Sequence, residues 1–104
     1  GWAGKVVRIF QVSDGFSYAY DSTRPFGQRI DRSSIRLDGD PLDPSMTYRL
    51  ATSNYLWDGG DELAAVKQGR DAVLVGVDYD LFADFIFNNS PLSPTPANRI
   101  RKIR

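Results

Sequence analysis

The alternation of apolar and polar residues predicts strands over most of the first half of the chain. In Phe16–Tyr20 the aromatic residues occupy every second position with smaller residues between them, so one face of a strand there would be aromatic. Comparable strand patterns are found in Lys5–Ser13, Gln28–Leu37, Thr47–Leu56 and Asn98–Arg104, and Arg70–Val75 is expected to be a short strand or extended run.

Turn signals separate these strands. Asp14-Gly15 predicts a hairpin that joins the first two strands, and Asp38-Gly39 predicts another hairpin turn. An Asx turn is expected at Asp21, in a loop that leads to the third strand. An irregularity is predicted near Ser33-Ser34 in that strand. Its core candidates are Ile30, Ile35 and Leu37.

Helical spacing appears in the second half of the chain. A short helix is predicted over Asp61–Gln68, with Leu63 and Val66 facing inward. A longer helix follows, capped by Asp78 or Asp80. Its apolar stripe consists of Leu81, Phe82, Phe85 and Ile86. The elements in chain order predict an α+β fold, with a mixed, largely antiparallel sheet and two helices.

Composition restricts the chemistry that this chain can perform. Its 104 residues are enough for one domain or a fragment of one, and a net charge of zero gives no general attraction to nucleic acid or to an anionic membrane. The chain contains neither Cys nor His, which excludes disulfides, thiolate catalysis, a Ser-His-Asp triad and imidazole-ligated metals. No metal site and no catalytic residue is predicted in this chain.

The strongest candidate for a ligand site is the corner around Gly59-Gly60. Two glycines permit positive φ and the close approach of another group. Tyr55 before them offers a flat ring for stacking, and Asp61 after them offers a carboxylate that can accept hydroxyl hydrogen bonds. The alternative is a tight turn in which Asp61 caps a helix. Trp57 and Asn54 would form the rim of such a site; for Trp57, covering the proline-rich neighbours is the favoured alternative.

Several patches resemble the C-terminal domain of the 5′-nucleotidase family, in the same order along the chain. They are Phe10–Ser13 with Tyr20-Asp21 and Arg24-Pro25, Leu42–Pro44 with Tyr48–Thr52, Asn54–Asp61, and Asn89–Pro91 with Arg99-Ile100. The order and spacing of these patches carry the resemblance, which covers nearly the whole chain and identifies it as the latter part of that domain.

The resemblance implies a role in nucleotide recognition. Members of this family are two-domain, extracytoplasmic hydrolases with two divalent metals in an N-terminal metallophosphoesterase domain, which would lie outside this chain. Their C-terminal domain holds the nucleoside between two aromatic rings. Tyr55 resembles the second of these rings, and Asp61 resembles the carboxylate that binds the ribose hydroxyls. The first ring and the phosphate-binding arginines belong to segments upstream in the family, and this chain alone is expected to be inactive.

Two departures from the family keep a second hypothesis open. Glu62 and Leu63 follow Gly-Gly-Asp where the family has a glycine and an aromatic residue, and Trp57 replaces a small residue. These changes favour a binding or interaction module that kept the fold and lost the nucleotide. If part of the domain is absent, apolar surface and sheet edges would be left open, and self-association or an unusual partner is expected.

Overall fold

The computed structural model describes residues 9–104, apart from the side chain of Glu62. The chain divides into two compact units. The first, called here the sheet unit, consists of Gly1–Tyr48 and Pro96–Arg104, and the second, called the helical unit, consists of Arg49–Thr95.

The sheet unit contains a four-stranded sheet with the order β3-β2-β1-β4. The strands are β1 (Phe16–Tyr20), β2 (Ile30–Leu37), β3 (Asp40–Pro41) and β4 (Ile100–Lys102). β2 pairs antiparallel with both β1 and β3, whereas β4 pairs parallel with β1. This mixed, largely antiparallel sheet, together with the helices of the second unit, confirms the predicted α+β fold class.

A bulge in β2 confirms the irregularity that was predicted near Ser33-Ser34. Ser17 lies opposite Arg36, but Ala19 lies opposite Asp31, so β2 contains extra residues at this point. The hydroxyl of Ser34 accepts a hydrogen bond from the Ala19 N–H at 2.7 Å and donates to the Asp31 carbonyl at 2.6 Å. The side chain therefore satisfies a donor that the interrupted ladder leaves unpaired.

The loop before β2 begins with the Asx turn predicted at Asp21. Its Oδ1 accepts hydrogen bonds from the N–H of Thr23 at 2.9 Å and from the Thr23 hydroxyl at 2.5 Å. Asp21 is buried, and the Thr23 hydroxyl, ahead of the Thr23 N–H, holds the pKa of its carboxyl below the usual value. At the other end of β2, the turn at Asp38-Gly39 is confirmed, with φ values of 51° and 88° that match a two-residue hairpin turn.

The core of the sheet unit is small and lies around the middle of β1. Ala19 is the one fully buried apolar residue in the described part of the chain, with a relative accessibility of 1%. On the opposite face, the rings of Phe16 and Tyr18 meet edge to face with centroids 6.5 Å apart, as the alternation predicted. Ile35 and Leu37 are half-buried as expected, but Ile30 is 39% exposed, because it lies at the open start of β2.

The helical unit contains two α-helices, α1 (Asn54–Trp57) and α2 (Asp78–Asn88). Two 3-10 segments lie between them, at Gly60–Glu62 and Ala64–Gln68. The helix predicted over Asp61–Gln68 is therefore present only as 3-10 turns, although Leu63 and Val66 are half-buried as expected and Gly69 ends the second turn.

Two strand predictions are wrong over the described residues. Ile9–Ser13 has no strand, and residues 5–8 of that prediction lie outside the described residues. The Val12 carbonyl is bound instead by the Arg99 guanidinium at 2.9 Å, and only the turn of the predicted hairpin is present. Thr47–Leu56 does not form a strand either, and at Arg70–Val75, where a short strand or an extended run was expected, no strand is present. A strand requires a paired neighbour, and sequence pattern alone does not supply one.

Helix α2 confirms the longer helix predicted in this part of the chain, but its capping was predicted wrongly. Val77 is the N-cap residue and makes no side-chain capping bond, while Asp78 Oδ1 accepts a hydrogen bond from the next N–H at 2.7 Å. Of the predicted apolar stripe only Ile86 is half-buried; Leu81, Phe82 and Phe85 are exposed. Within residues 9–104, no helix has the length and apolar character needed to cross a membrane.

The depressed carboxyl pKa values predict a loss of stability in acid. In the sheet unit, hydrogen bonds from Thr23, Ser33 and Ser45 lower the pKa of Asp21, Asp31 and Asp43 respectively. A carboxyl whose pKa is lower in the folded state stabilises the fold above its ordinary pKa of about 3.9, and this stabilisation is lost as the pH falls through the folded value. Thermal unfolding followed by circular dichroism should give a constant midpoint from about pH 5 to 7 and a falling midpoint below about pH 4.

Asp21→Asn keeps the acceptor oxygen and removes the charge, so it should flatten this acid slope. Asp40→Asn is the matched control, because Asp40 is exposed and its carboxylate accepts no hydrogen bond within the described structure. Identical acid slopes for the wild type and both variants would show that the Asx turn at Asp21 does not govern acid stability.

Candidate functional site

The corner that carries Tyr55 is built by a helix start that the strand prediction missed. Ser53 is the N-cap of α1, and its hydroxyl accepts a hydrogen bond from the Leu56 N–H at 3.3 Å. Serine is a preferred N-cap residue, so the signal was present in the sequence. Because residues 54–57 turn as a helix, Tyr55 comes back toward Gly60 instead of extending along a strand.

The two glycines have the separate roles that were predicted for the pair. Gly59 has φ of +93°, a conformation that residues with a side chain rarely adopt. Gly60 lies under Tyr55: a Cβ at this position would be 2.6 Å from ring atoms Cε1 and Cζ and 2.6 Å from the Tyr55 carbonyl oxygen. Gly59 therefore permits the turn, and Gly60 makes room for the ring.

Tyr55 and Asp61 are brought together directly. The Tyr55 hydroxyl donates a hydrogen bond to Asp61 Oδ1 at 3.0 Å, and the Tyr55 side chain remains 58% exposed. Asp61 itself has a left-handed backbone with φ of 57°, a conformation that aspartate tolerates better than most residues. The alternative of Asp61 as a helix N-cap is wrong, because Gly59 occupies the N-cap position of the 3-10 turn.

The residues predicted for the rim have different environments. Trp57 is half-buried and lies on Gly69, where a Cβ would be 2.9 Å from the ring atom Cζ3. The structure thus shows a specific ring–glycine contact for Trp57, while the alternative that it covers proline-rich neighbours stays a prediction. Asn54 is exposed at the first position of α1, and its carbonyl accepts a hydrogen bond from the Asp58 N–H at 2.8 Å.

Lys67 is a member of this corner that the sequence analysis did not single out. Its side chain passes over Gly59, with Cδ 3.1 Å and Nζ 3.5 Å from the position that a Cβ of Gly59 would occupy. Lys67 follows Gly59 by eight residues, and no periodicity linked the two. The corner thus presents a flat ring, a carboxylate and a nearby ammonium group, which are groups that bind a ligand through stacking, hydroxyl contacts and charge.

The described side chains contain no group of three Asp or Glu residues placed to hold a metal ion. In the sheet unit, by contrast, the acidic residues are used in turns, as at Asp21, Asp31 and Asp43.

Comparison with known proteins gives this corner a context. The model of the family described as "5'-nucleotidase, C-terminal domain" matches residues 3–68, which include the whole of the corner from Ser53 to Lys67. The chain is 34% identical over 103 residues to an apyrase of Tabanus yao, a match that covers 92% of this chain and 18% of the apyrase.

Bacterial proteins are similar over a shorter range. The chain is 38% identical over 61 residues to protein UshA of Yersinia enterocolitica and 33% identical over 61 residues to protein UshA of Escherichia coli; each match covers 58% of this chain and 11% of UshA. No solved structure matches the chain.

The chain belongs to the 5′-nucleotidase family, and it corresponds to sequence of the family's C-terminal domain. This confirms the family that the ordered patches indicated. The chain spans less than a fifth of the length of these curated relatives.

The contact between Gly60 and Tyr55 predicts the effect of a single methyl group. Gly60→Ala places its Cβ within 2.6 Å of both the ring and a backbone oxygen, so the corner must open. We expect the free energy of unfolding to fall by about 1–3 kcal/mol, the usual cost of overpacking. We also expect the Tyr55 ring resonances to shift in NMR spectra.

Gly76→Ala is the matched control in the same unit. Gly76 does not have positive φ, and its Cβ would meet Leu81 at 3.4 Å, an ordinary contact distance. Denaturation curves that coincide for the two variants, with unchanged Tyr55 resonances in both, would show that the ring does not occupy the space above Gly60.

Proposed function

We propose that the helical unit supplies one half of a nucleoside-binding site in a 5′-nucleotidase-type hydrolase. The observation that carries this proposal is the exposed Tyr55 ring whose hydroxyl is bonded to Asp61. In the proposed complex the base stacks on the Tyr55 ring and the ribose hydroxyls donate to the Asp61 carboxylate. Stacking of a base on an aromatic side chain contributes about 1–3 kcal/mol in nucleic-acid complexes.

The bond between Tyr55 and Asp61 supports this arrangement. An ionised carboxylate has about four lone-pair sites, and the hydrogen bond from Tyr55 uses one of them. That bond holds the carboxylate beside the ring edge. A base and a ribose are joined by one bond, so they require a stacking surface and an acceptor close together. Gly59 and Gly60 act in the site by shaping the backbone between these two groups, and Trp57 and Asn54 form its rim.

The chemical step belongs to atoms outside this chain. In the proposed parent protein, an N-terminal metallophosphoesterase domain would hold two divalent metals, which would supply the activated water for phosphoester hydrolysis. The present chain contributes to substrate positioning, which can supply a large part of an enzyme's rate enhancement. The short share of each relative that it spans, and the printed name of one relative as an apyrase, support this division. By the same resemblance, we place the parent protein outside the cytoplasm.

A second function is favoured by one specific observation. Trp57 stands where the family has a small residue, and its ring packs on Gly69 beside the corner. Together with Leu63, this fits a binding or interaction module that kept the fold and lost the nucleotide. The two functions differ in whether the corner binds a nucleoside.

A titration with adenosine separates these functions. We expect saturable quenching of the chain's fluorescence at millimolar adenosine, and weaker binding of 2′,3′-dideoxyadenosine because it lacks the hydroxyls that Asp61 accepts. Tyr55→Ala should weaken the binding of both ligands by about fivefold or more, because the stacking surface is lost. Asp61→Asn should weaken the binding of adenosine more than the binding of 2′,3′-dideoxyadenosine. AMP should bind without release of phosphate, since the metal domain is absent.

Tyr79→Ala is the control, because Tyr79 is an exposed tyrosine of the same unit that lies on α2. It should leave both affinities unchanged. Absence of any response at millimolar adenosine supports the interaction module, whereas release of phosphate from AMP that survives EDTA and Asp61→Asn contradicts the proposed division of labour.

We further propose that the exposed apolar face of α2 is covered by a second copy of the chain in solution. Phe82 is 64% exposed and Phe85 is 53% exposed, one turn apart on that helix. Val73, Leu74 and Val75 are each more than four-fifths exposed. Monomeric proteins rarely expose contiguous apolar patches larger than a few hundred Å².

Light scattering should show a molar mass that rises with protein concentration. Replacing Phe82 and Phe85 together with serine should shift this rise to higher concentration, because it removes two of the exposed rings. Asp84→Ser is the control on the same helix and should not weaken association. A constant monomer mass for the wild type at all concentrations would contradict self-association.

A further inference from the structure

The sheet unit contains a cavity of about 540 Å³ that lies apart from the Tyr55–Asp61 corner in sequence and belongs to the other unit. The loop before β2 and the bulged part of β2 form its walls. The lining residues are Arg24, Gly27, Gln28, Ile30, Asp31, Arg32, Ser33 and Ile35. None of the residues assigned to nucleoside binding is among them.

Hydrogen bonds fix the backbone around this cavity. The Arg24 carbonyl accepts a bond from Arg29 Nε at 3.1 Å, and the Gln28 N–H donates to the Pro25 carbonyl at 3.1 Å. On the β2 side, Asp31 Oδ1 accepts from the N–H of Ser33 at 3.0 Å and from its hydroxyl at 2.6 Å. A ligand that enters would meet walls already ordered by these contacts.

The charge around the cavity is positive. Two arginines and one aspartate line it. A third arginine, Arg101, lies nearby. Ala19 on β1 pairs with Asp31 on one side and with Arg101 on the other. The three residues therefore lie in one row across the sheet and on the same face. After the hydrogen bonds from Ser33, the charges of Arg24 and Arg101 also lower the pKa of Asp31, which therefore stays ionised at neutral pH.

The zero net charge of the whole chain conceals this asymmetry. Over its described residues, 9–48 and 96–104, the sheet unit has eight Lys and Arg residues and six Asp residues, for a net charge of +2. The helical unit has three and seven, for a net charge of −4. An anion is therefore attracted to the sheet unit, although the chain as a whole has no net charge.

Two polar side chains of the lining are available for a ligand. The Arg32 and Gln28 side chains make no hydrogen bond or ion pair within the described structure, whereas Arg24 shares its charge with Asp21 through an Nε–Oδ2 distance of 3.6 Å. Ile30 and Ile35 add an apolar surface to the same cavity. The lining thus combines guanidinium groups, which bind phosphate and carboxylate in two-pronged geometry, with a surface for an apolar group.

We propose that this cavity binds a small organic anion, whose phosphate or carboxylate group contacts Arg32 and Arg24 and whose apolar part packs on Ile30 and Ile35. Arg32 is the principal contact, because Arg24 is already paired with Asp21. The negative charge of Asp31 opposes binding and therefore lowers the affinity for the anion. This site does not depend on the nucleoside site, since no residue is shared.

An NMR titration of the full 104-residue chain tests the proposal, with labelled isoleucine methyl groups and backbone amides as reporters. The probes are phenyl phosphate, benzoate and inorganic phosphate. We expect saturable shifts at Ile30, Ile35 and the amides around Gln28 with phenyl phosphate or benzoate, and weaker binding of inorganic phosphate. A comparison of phenyl phosphate with benzoate shows which anionic group the site prefers.

Charge variants separate a specific site from general attraction. Arg32→Gln should weaken binding by about fivefold or more, the effect of losing one partly exposed charge contact. Asp31→Asn keeps the acceptor for Ser33 and removes the opposing charge, so it should strengthen binding. Arg70→Gln removes the same charge from the helical unit and is the matched control; it should have no effect.

The result that overturns the proposal is equal weakening by Arg32→Gln and Arg70→Gln, which would show attraction to net charge alone. Unsaturated shifts at millimolar probe would also overturn it. If inorganic phosphate binds as tightly as phenyl phosphate, the isoleucine surface has no part in binding and the organic ligand is excluded.

Discussion

The candidate site depends on one constraint, which is that residue 60 is a glycine and has no side chain. The Tyr55 ring and the Tyr55 carbonyl both occupy the space where a Cβ would lie. This contact folds α1 back so that the Tyr55 hydroxyl reaches Asp61, six residues further along the chain. A second ring–glycine contact, between Trp57 and Gly69, packs α1 against the end of the second 3-10 segment. Both aromatic residues of α1 thus pack on glycines, and Tyr55 as a residue remains more than half exposed.

Short-range hydrogen bonds organise the sheet unit in an analogous manner. The same local pattern occurs three times: an aspartate is followed two residues later by Ser or Thr. Each time the carboxylate accepts hydrogen bonds from both the N–H and the hydroxyl of the second residue. The pairs are Asp21 with Thr23, Asp31 with Ser33, and Asp43 with Ser45. These turns need few distant contacts, which suits a sheet with one fully buried apolar residue within the described part of the chain. They also lower the pKa of the three carboxyls, and at Asp21 and Asp31 the charges of nearby arginines lower it further.

Both units leave apolar groups or strand edges uncovered within the described part of the chain. The helical unit leaves most of the apolar residues of α2 exposed, and the sheet unit ends in the short edge strands β3 and β4. Such surfaces are normally covered by further protein. The chain spans less than a fifth of the length of its curated relatives.

Local chemistry in the sequence determined much of this protein: the strand at Phe16–Tyr20, the turns at Asp21 and Asp38-Gly39, helix α2, and the roles of Gly59 and Gly60. Each depends on residues close in the chain, where backbone preference and neighbouring side chains act directly. Only the tertiary structure decided that residues 47–53 would lack a strand, that β4 would pair parallel with β1, and that Arg24 and Arg32 would line a cavity. Strand pairing and cavity lining depend on which distant segments meet, and a linear pattern of apolar residues does not specify those partners.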